Sequence, residues 1–309
     1  MTSHSAGKMA LILIGFLWYA VTLVISYMSS NNAIDIGIFE NKTGDISDKF
    51  YLTITPAGWT FGLIWAIIYT YQLVWYVYAL TTICRRDNEG NYLYTLPYLP
   101  SAFYIVFMVN NVVLVAWLVL WDRQWVQWSL LDIIFAPATL YVCLFISYKY
   151  LYDNIEVLKR RGAGKELWFV RVLIHNGMSF FATWVSIATL LNFGIVLTYI
   201  WSVELQLSST IVLAILSAEI VTYFVIDTCF IDKYIRYTVT PYIVLVVALT
   251  GSITKNFDLD TNNRNSIFTV VMLAVSSLLL LTKLILVVRR HRRFPIEGNV
   301  NDDVKGTLA

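Results

Sequence analysis

The sequence predicts an all-α integral membrane protein of about eight transmembrane helices, and three observations predict it. Hydrophobic residues make up 58% of the 309 residues and charged ones only 14%, where soluble domains run near half apolar and about a quarter charged. Eight apolar stretches have the length, about 20 residues, that crosses a hydrocarbon core as a helix. Runs such as Val270–Val288 are apolar on nearly every face, whereas barrel strands alternate over about ten residues. A water-soluble globule, a disordered chain and a nucleic-acid binder do not fit these numbers. A net charge of +2 implies no bulk electrostatic partner, and three cysteines cannot build a disulfide framework.

In order, the predicted spans are 9–29, 57–83, 101–121, 126–150, 168–201, 207–229, 234–254 and 265–289. Connections two and four carry Arg85, Arg86, Lys159, Arg160, Arg161 and Lys165, and the last span runs into Arg289-Arg290-His291-Arg292-Arg293. Connections three, five and seven offer only Arg123, Lys255 and Arg264, and the first sets Lys42 and Lys49 against four acids. The Lys/Arg bias therefore predicts that both termini are cytoplasmic. Cys84, Cys143 and Cys229 then fall in the cytoplasmic half, where thiols stay reduced. The triplet Asn41-Lys42-Thr43 is a sequon in the first outer loop, so Asn41 is a candidate glycosylation site in a eukaryotic host. It favours a plasma-membrane or endomembrane address over the mitochondrial outer membrane. A cleaved first span, leaving seven helices of receptor type, is an alternative that its long apolar run argues against.

The second span opens Thr55-Pro56-Ala57-Gly58-Trp59. Pro56 presets φ near a first turn, and Thr55 is a candidate cap. Phe61, Trp65 and Tyr69 then recur at i, i+4 and i+8, extended by Gln72 and Tyr76, which makes one aromatic stripe with a polar break. Gly62 lies off the stripe, where a neighbouring helix would approach closely. In the fifth span Trp184, Ala188 and Asn192 share a face: a flat wall, a small residue and a hydrogen-bonding group. Such stripes serve helix packing as readily as a pocket.

The run Pro56-x-x-Trp59-x-Phe61-Gly62-x-x-Trp65-x-x-x-Tyr69 resembles the second-helix signature of the TspO/MBR family, the translocator or tryptophan-rich sensory proteins. Leu131-Asp132-Ile133 is similar to the family's acidic-Ile step in its fourth helix. Trp184-x-x-x-Ala188-x-x-Leu191-Asn192 resembles its fifth-helix motif. The run Thr43–Lys49 resembles the loop of the longer, eight-helix branch. Two departures stand out: Asn110 and Asn111 lie about a turn away from the family's Asn-x-x-Trp register with Trp117, and the proline before Trp184 is missing.

The resemblance implies a five-helix bundle over residues 1–202 with a ligand cavity beneath the loop 30–56. Three additional helices would follow over 203–294, then a disordered cytoplasmic tail, 295–309. It implies a flat or rigid hydrophobic ligand of the porphyrin or sterol class, bound by Trp59, Phe61, Trp65, Tyr69, Trp184, Ala188 and Asn192. Five-helix relatives often pair through helix faces, so the resemblance allows a homodimer, without an assigned surface. Besides the ligand and a possible partner copy, the lipid bilayer itself is the expected partner.

Tryptophans concentrate at membrane interfaces; Trp117, Trp121, Trp125, Trp128, Trp168 and Trp201 stand at span ends and are read as that belt. Trp18, Trp65, Trp75 and Trp184 lie deeper and are read as sharing the internal hollow. Among intramembrane polar groups, Lys283 and Arg171 are expected to snorkel to water, and Asp132 to pair with Arg123. Glu219 stands mid-span and is read as a buried, hydrogen-bonded carboxyl, or as part of an ion pathway with Asp132 and His175 in a transporter or channel. His175 reads as a packed donor rather than a haem ligand. Pro137 and Pro241 are expected to kink their helices. No residue set has metal-ligand spacing, and no hydrolase or nucleotide-binding motif occurs; no general acid or base marks an enzyme.

Overall fold

The structure is a computed structural model, and it describes residues 4–31, 37–257 and 264–296. Most of the predicted tail lies outside the described residues. The helices are α1 (Ala6–Ser30), α2 (Thr43–Lys49), α3 (Gly58–Cys84), α4 (Ser101–Asp122), α5 (Val126–Ile133), α6 (Phe135–Asp153), α7 (Ile155–Arg160), α8 (Gly164–Phe169), α9 (Asn176–Tyr199), α10 (Leu205–Val225), α11 (Asp232–Ile235), α12 (Thr240–Asn256) and α13 (Arg264–Arg293). Seven continuous helical segments are long and apolar enough to cross a membrane. The eighth, α12, has 17 residues, about 25 Å of helix, at the lower limit for a span. Among the described residues there is no β-strand, only an isolated bridge between Arg86 and Tyr92.

Local chemistry explains where the segments break. Pro137 has no N–H for the carbonyl of Ile133, one turn back, and the helix breaks there between α5 and α6. The Thr189 hydroxyl of α9, which donates to the Val185 carbonyl at 2.7 Å, lies 3.4 Å from the freed Ile133 carbonyl. Pro241 does not kink a helix; it sits in the first turn of α12, where a missing N–H costs nothing. Thr55 does not cap α3, whose N-cap is Ala57. Its hydroxyl instead accepts the Leu52 N–H at 3.1 Å. The Ala57 N–H is held from another helix, by the Gly251 carbonyl of α12 at 3.0 Å.

The C-terminal helices pack directly against the first five spans. Asn176, after a π-helical turn at Val170–His175, is the main polar joint. Its side chain accepts the Val239 N–H at 3.0 Å and donates to the Tyr237 carbonyl at 2.9 Å, and its own carbonyl accepts the Thr240 hydroxyl at 2.6 Å. At Gly251 the Thr60 side chain occupies the space a Cβ would need, so α12 approaches α3 closely because that residue is glycine. The first and last described residues lie at one end of the bundle: the Ser5 N–H donates to the Tyr94 hydroxyl at 2.7 Å, and Arg171 donates to the Ile296 carbonyl at 2.9 Å. The basic connections gather at that end, and the lid segment described below stands at the other.

Three intramembrane groups sit otherwise than their sequence context predicts. Lys283 does not snorkel: it is 2% exposed and ion-paired to Asp227 at 2.5 Å. Tyr242 donates to the same carboxylate at 2.6 Å. Arg171 is buried, with its guanidinium over the rings of Trp168 and Tyr237. Glu219 is exposed on the bundle surface, because the packed face of α10 is Val212, Leu213, Leu216 and Ile220 and Glu219 falls on the outward side with Ala214, Ala218 and Thr222.

Candidate functional site: a lidded aromatic cavity

Between α1, α3, α4, α5 and α9, beneath α2, lies a cavity of about 310 Å³, at the lower end of the range for small-molecule sites. The inner halves of α1 and α3 are closed by contact: Tyr19 donates to the Tyr69 carbonyl at 2.7 Å, and Tyr76 packs against Gly15. Above that, Ser26, Ser29 and Ser30 of α1 face the hollow from one side. Across it stand Phe61, Gly62, Trp65 and Tyr69 of α3, with Trp184, Ala188 and Asn192 of α9. Helical periodicity explains both sets, since residues four apart stand one above the other on a helix face. Trp65 stacks on Tyr69 at 5.3 Å, and Phe61 meets Trp184 edge-on at 5.3 Å.

Six of the seven residues proposed for the ligand thus line one cavity. Trp59 does not. It is 49% exposed, because at roughly 100° per residue it lies about 120° around α3 from Trp65. Gly62 is not a helix contact: a Cβ built on it meets nothing within 4 Å, and it is exposed while lining the cavity. The hollow therefore reaches the bundle surface there. Trp75 lies below, fully buried against Tyr76 and Phe103, its indole N–H on Gln72 at 2.6 Å. It and Trp18 are absent from the cavity wall.

Trp117 and Trp121, read from sequence as interfacial, instead form the fourth wall with Leu114 and Leu118. Their rings stack at 5.4 Å. The spacing 114, 117, 118, 121 is a helical face, and that periodicity was the available signal. The depth of these residues at a span end obscured it.

The lid is a short helix rather than a loop. Thr43, Gly44 and Ser47 of α2 close the top, with Thr55. The Trp121 indole donates to the Thr43 carbonyl at 3.2 Å, and the Thr43 hydroxyl to the Ser29 carbonyl at 3.1 Å. Asp122, 3% exposed, accepts the backbone N–H groups of Glu40 and Asn41 at 2.9 and 2.8 Å. Arg123 pairs with Asp122 and Glu40 at 2.8 and 2.6 Å. It is therefore not the partner of Asp132, whose Oδ2 is buried without one among the described residues. The Asn41 amide donates to the Asp122 carbonyl at 3.1 Å.

The wall is chemically uniform: aromatic and aliphatic surface, several hydroxyls and one carboxamide, with no Asp, Glu, Lys, Arg or His. Asn192 already accepts Ser129 at 3.1 Å and donates to the Ala188 carbonyl at 3.1 Å. Among the described residues the indole N–H groups of Trp117 and Trp184 are buried without an acceptor, a state that normally costs free energy. His175 is remote from the cavity, fully packed, with Nε2 3.0 Å from the Ser147 hydroxyl and its ring against Tyr148. Glu219 does not line the cavity either. Among the described residues no group of His, Cys, Asp or Glu side chains could hold a metal ion.

Comparison with curated proteins and with solved structures returned no match. A family model described as TSPO-like protein matches residues 12–286, from the first span into the last. The match takes in the three C-terminal helices as well as the five that enclose the cavity. The chain is a multi-pass membrane protein that belongs to the TSPO-like family.

Proposed function

We propose that this chain binds a hydrophobic, rigid molecule of the sterol or porphyrin class in the lidded cavity and acts as its sensor or translocator. The observation that carries the reading is a hollow walled by Phe61, Trp65, Trp117, Trp121 and Trp184 and free of charged side chains. Flat aromatic faces offer dispersion and stacking to a rigid ring system. The two indole donors without acceptors suit a ligand oxygen or ring nitrogen. The uncharged wall favours a neutral ligand over a dicarboxylate held wholly inside, since a buried carboxylate needs a cationic or multiply hydrogen-bonded partner. A sterol hydroxyl fits that rule better than porphyrin propionates, which would have to stay at the mouth.

In this reading residues 1–202 are the binding bundle and 203–294 its support. The basic end faces the cytoplasm with both termini, in a plasma or endomembrane; glycan occupancy at Asn41 tests that orientation. The deciding experiment is titration of the purified full chain with a fluorescent sterol and with protoporphyrin, read by energy transfer from tryptophan. Saturable transfer that falls in Trp184→Ala and Trp117→Ala supports the proposal. Absence of saturation with both ligands overturns it.

A further inference from the structure

We propose a second binding site, for an anionic phospholipid, along the outward face of α13 where the span meets the headgroup layer. The last three turns of that helix sort their cations by direction. Lys283 and Arg290 point into the bundle and are neutralised, Lys283 by Asp227 and Arg290 by Asp232 at 2.7 Å. Arg290 also donates to the Thr228 carbonyl at 3.0 Å, which fixes the rotation of the helix end. Arg289 and Arg292 are exposed, and among the described residues neither has a carboxylate partner.

Their direction is set by the helical repeat. Leu278, Leu281 and Ile285 are 57–65% exposed, and Arg289 and Arg292 fall within roughly 60° of that same line at 100° per residue. A stripe of apolar side chains facing lipid thus ends in two guanidinium groups on one face. This is the outline of a phospholipid: an acyl chain lying against Leu278, Leu281 and Ile285, and a phosphate between Arg289 and Arg292. Guanidinium groups present paired N–H donors that match phosphate oxygens. Phe230 and Phe294, each 73% exposed near this end, offer further apolar surface at the boundary. Among the described residues, Asp232 is already spent on Arg236 and Arg290. A net-negative headgroup is therefore favoured over a zwitterionic one, because among the described residues no carboxylate pairs with either guanidinium.

The proposal is independent of what the cavity binds, and its test needs no cavity ligand. The full chain would be reconstituted in phosphatidylcholine bilayers carrying a trace of spin-labelled phosphatidylglycerol or spin-labelled phosphatidylcholine, and the immobilised fraction of each label compared. Expected is preferential association of phosphatidylglycerol that weakens with added salt. Juxtamembrane cations contribute a free energy equivalent to about five-fold each, so Arg289→Gln should lower the preference about that much and the double variant Arg289→Gln/Arg292→Gln more. Arg264→Gln, at the opposite end of the same helix, should leave it unchanged. Equal association of the two labels with the unmodified chain, or an undiminished preference in the double variant, overturns the proposal.

Discussion

The side-chain amide of Asn256, in the last turn of α12, donates to the Thr55 carbonyl at 2.8 Å. The same side chain accepts the Tyr51 hydroxyl at 2.8 Å. Thr55 lines the cavity, so a residue of the C-terminal helices holds the segment that closes it. Lys255 adds an ion pair to Asp48 of α2 at 2.8 Å, and Asn265 of α13 donates to the Thr53 hydroxyl at 3.0 Å. Two of the three additional helices, α12 and α13, therefore buttress the lid as well as extend the bundle.

Removing that anchor should loosen the lid before it unfolds the bundle. Asn256→Ala loses the bonds to Thr55, Tyr51 and the Ser252 carbonyl, a loss of about 1–3 kcal/mol. Hydrogen exchange should rise across residues 43–57 and remain low in α4 and α9. Uniformly raised exchange, or none, would contradict a local latch.

Ligand affinity should depend on the cavity tryptophans and be indifferent to the exposed one. Trp184→Ala deletes a fully buried wall residue in contact with Phe61 and should weaken binding about ten-fold, the equivalent of 1.4 kcal/mol. Trp59→Ala, on the far side of α3, should leave the dissociation constant unchanged. A large loss in Trp59→Ala would mean that the ligand sits outside the hollow.

The mouth at Gly62 can be plugged without cost to the fold, since a Cβ there meets no atom within 4 Å. Gly62→Leu should slow ligand association several-fold while leaving the thermal transition in place. Unchanged association kinetics would show that the ligand takes another route.

Asp227 and Lys283 should behave as an obligate pair. Each is 2% exposed or less, and removing one partner strands the other, at a cost of about 3–5 kcal/mol. Asp227→Asn and Lys283→Met should each lower thermal stability sharply, and the double variant should recover much of the loss. Additive effects would show that the two groups stabilise the helices separately.

At the basic end, Asp87 should contribute a step of acid lability. Desolvation pushes its pKa up, but hydrogen bonds from Asn91 and Glu89 and the nearby Arg161 outweigh it and hold the value below the ordinary 3.8. A carboxyl depressed in the folded state stabilises fully above its unfolded pKa and loses that contribution as pH falls through the folded one. Protection of residues 85–100 should therefore weaken below about pH 3.8, and Asp87→Asn should remove that pH dependence. An unchanged acid profile in the variant would assign the lability elsewhere.

Read alone, the sequence established the helical class, the order of spans and the cavity faces of α3 and α9, because length, hydropathy and i, i+4 spacing are local properties. It led to Phe61, Trp65, Tyr69, Trp184, Ala188 and Asn192 because each set shares one helix face. Trp59 of the same motif falls outside the cavity wall, because a motif names residues without their rotation about the axis. Rotation and partnership were decided only by tertiary packing. Packing turned Trp117 and Trp121 inward, put Glu219 on the surface and gave Lys283 a buried carboxylate, because whether a polar group in a membrane is tolerable depends on what neighbouring helices bring within hydrogen-bonding reach. The hold of Asn256 on Thr55 joins residues 201 positions apart, and no spacing rule spans that distance.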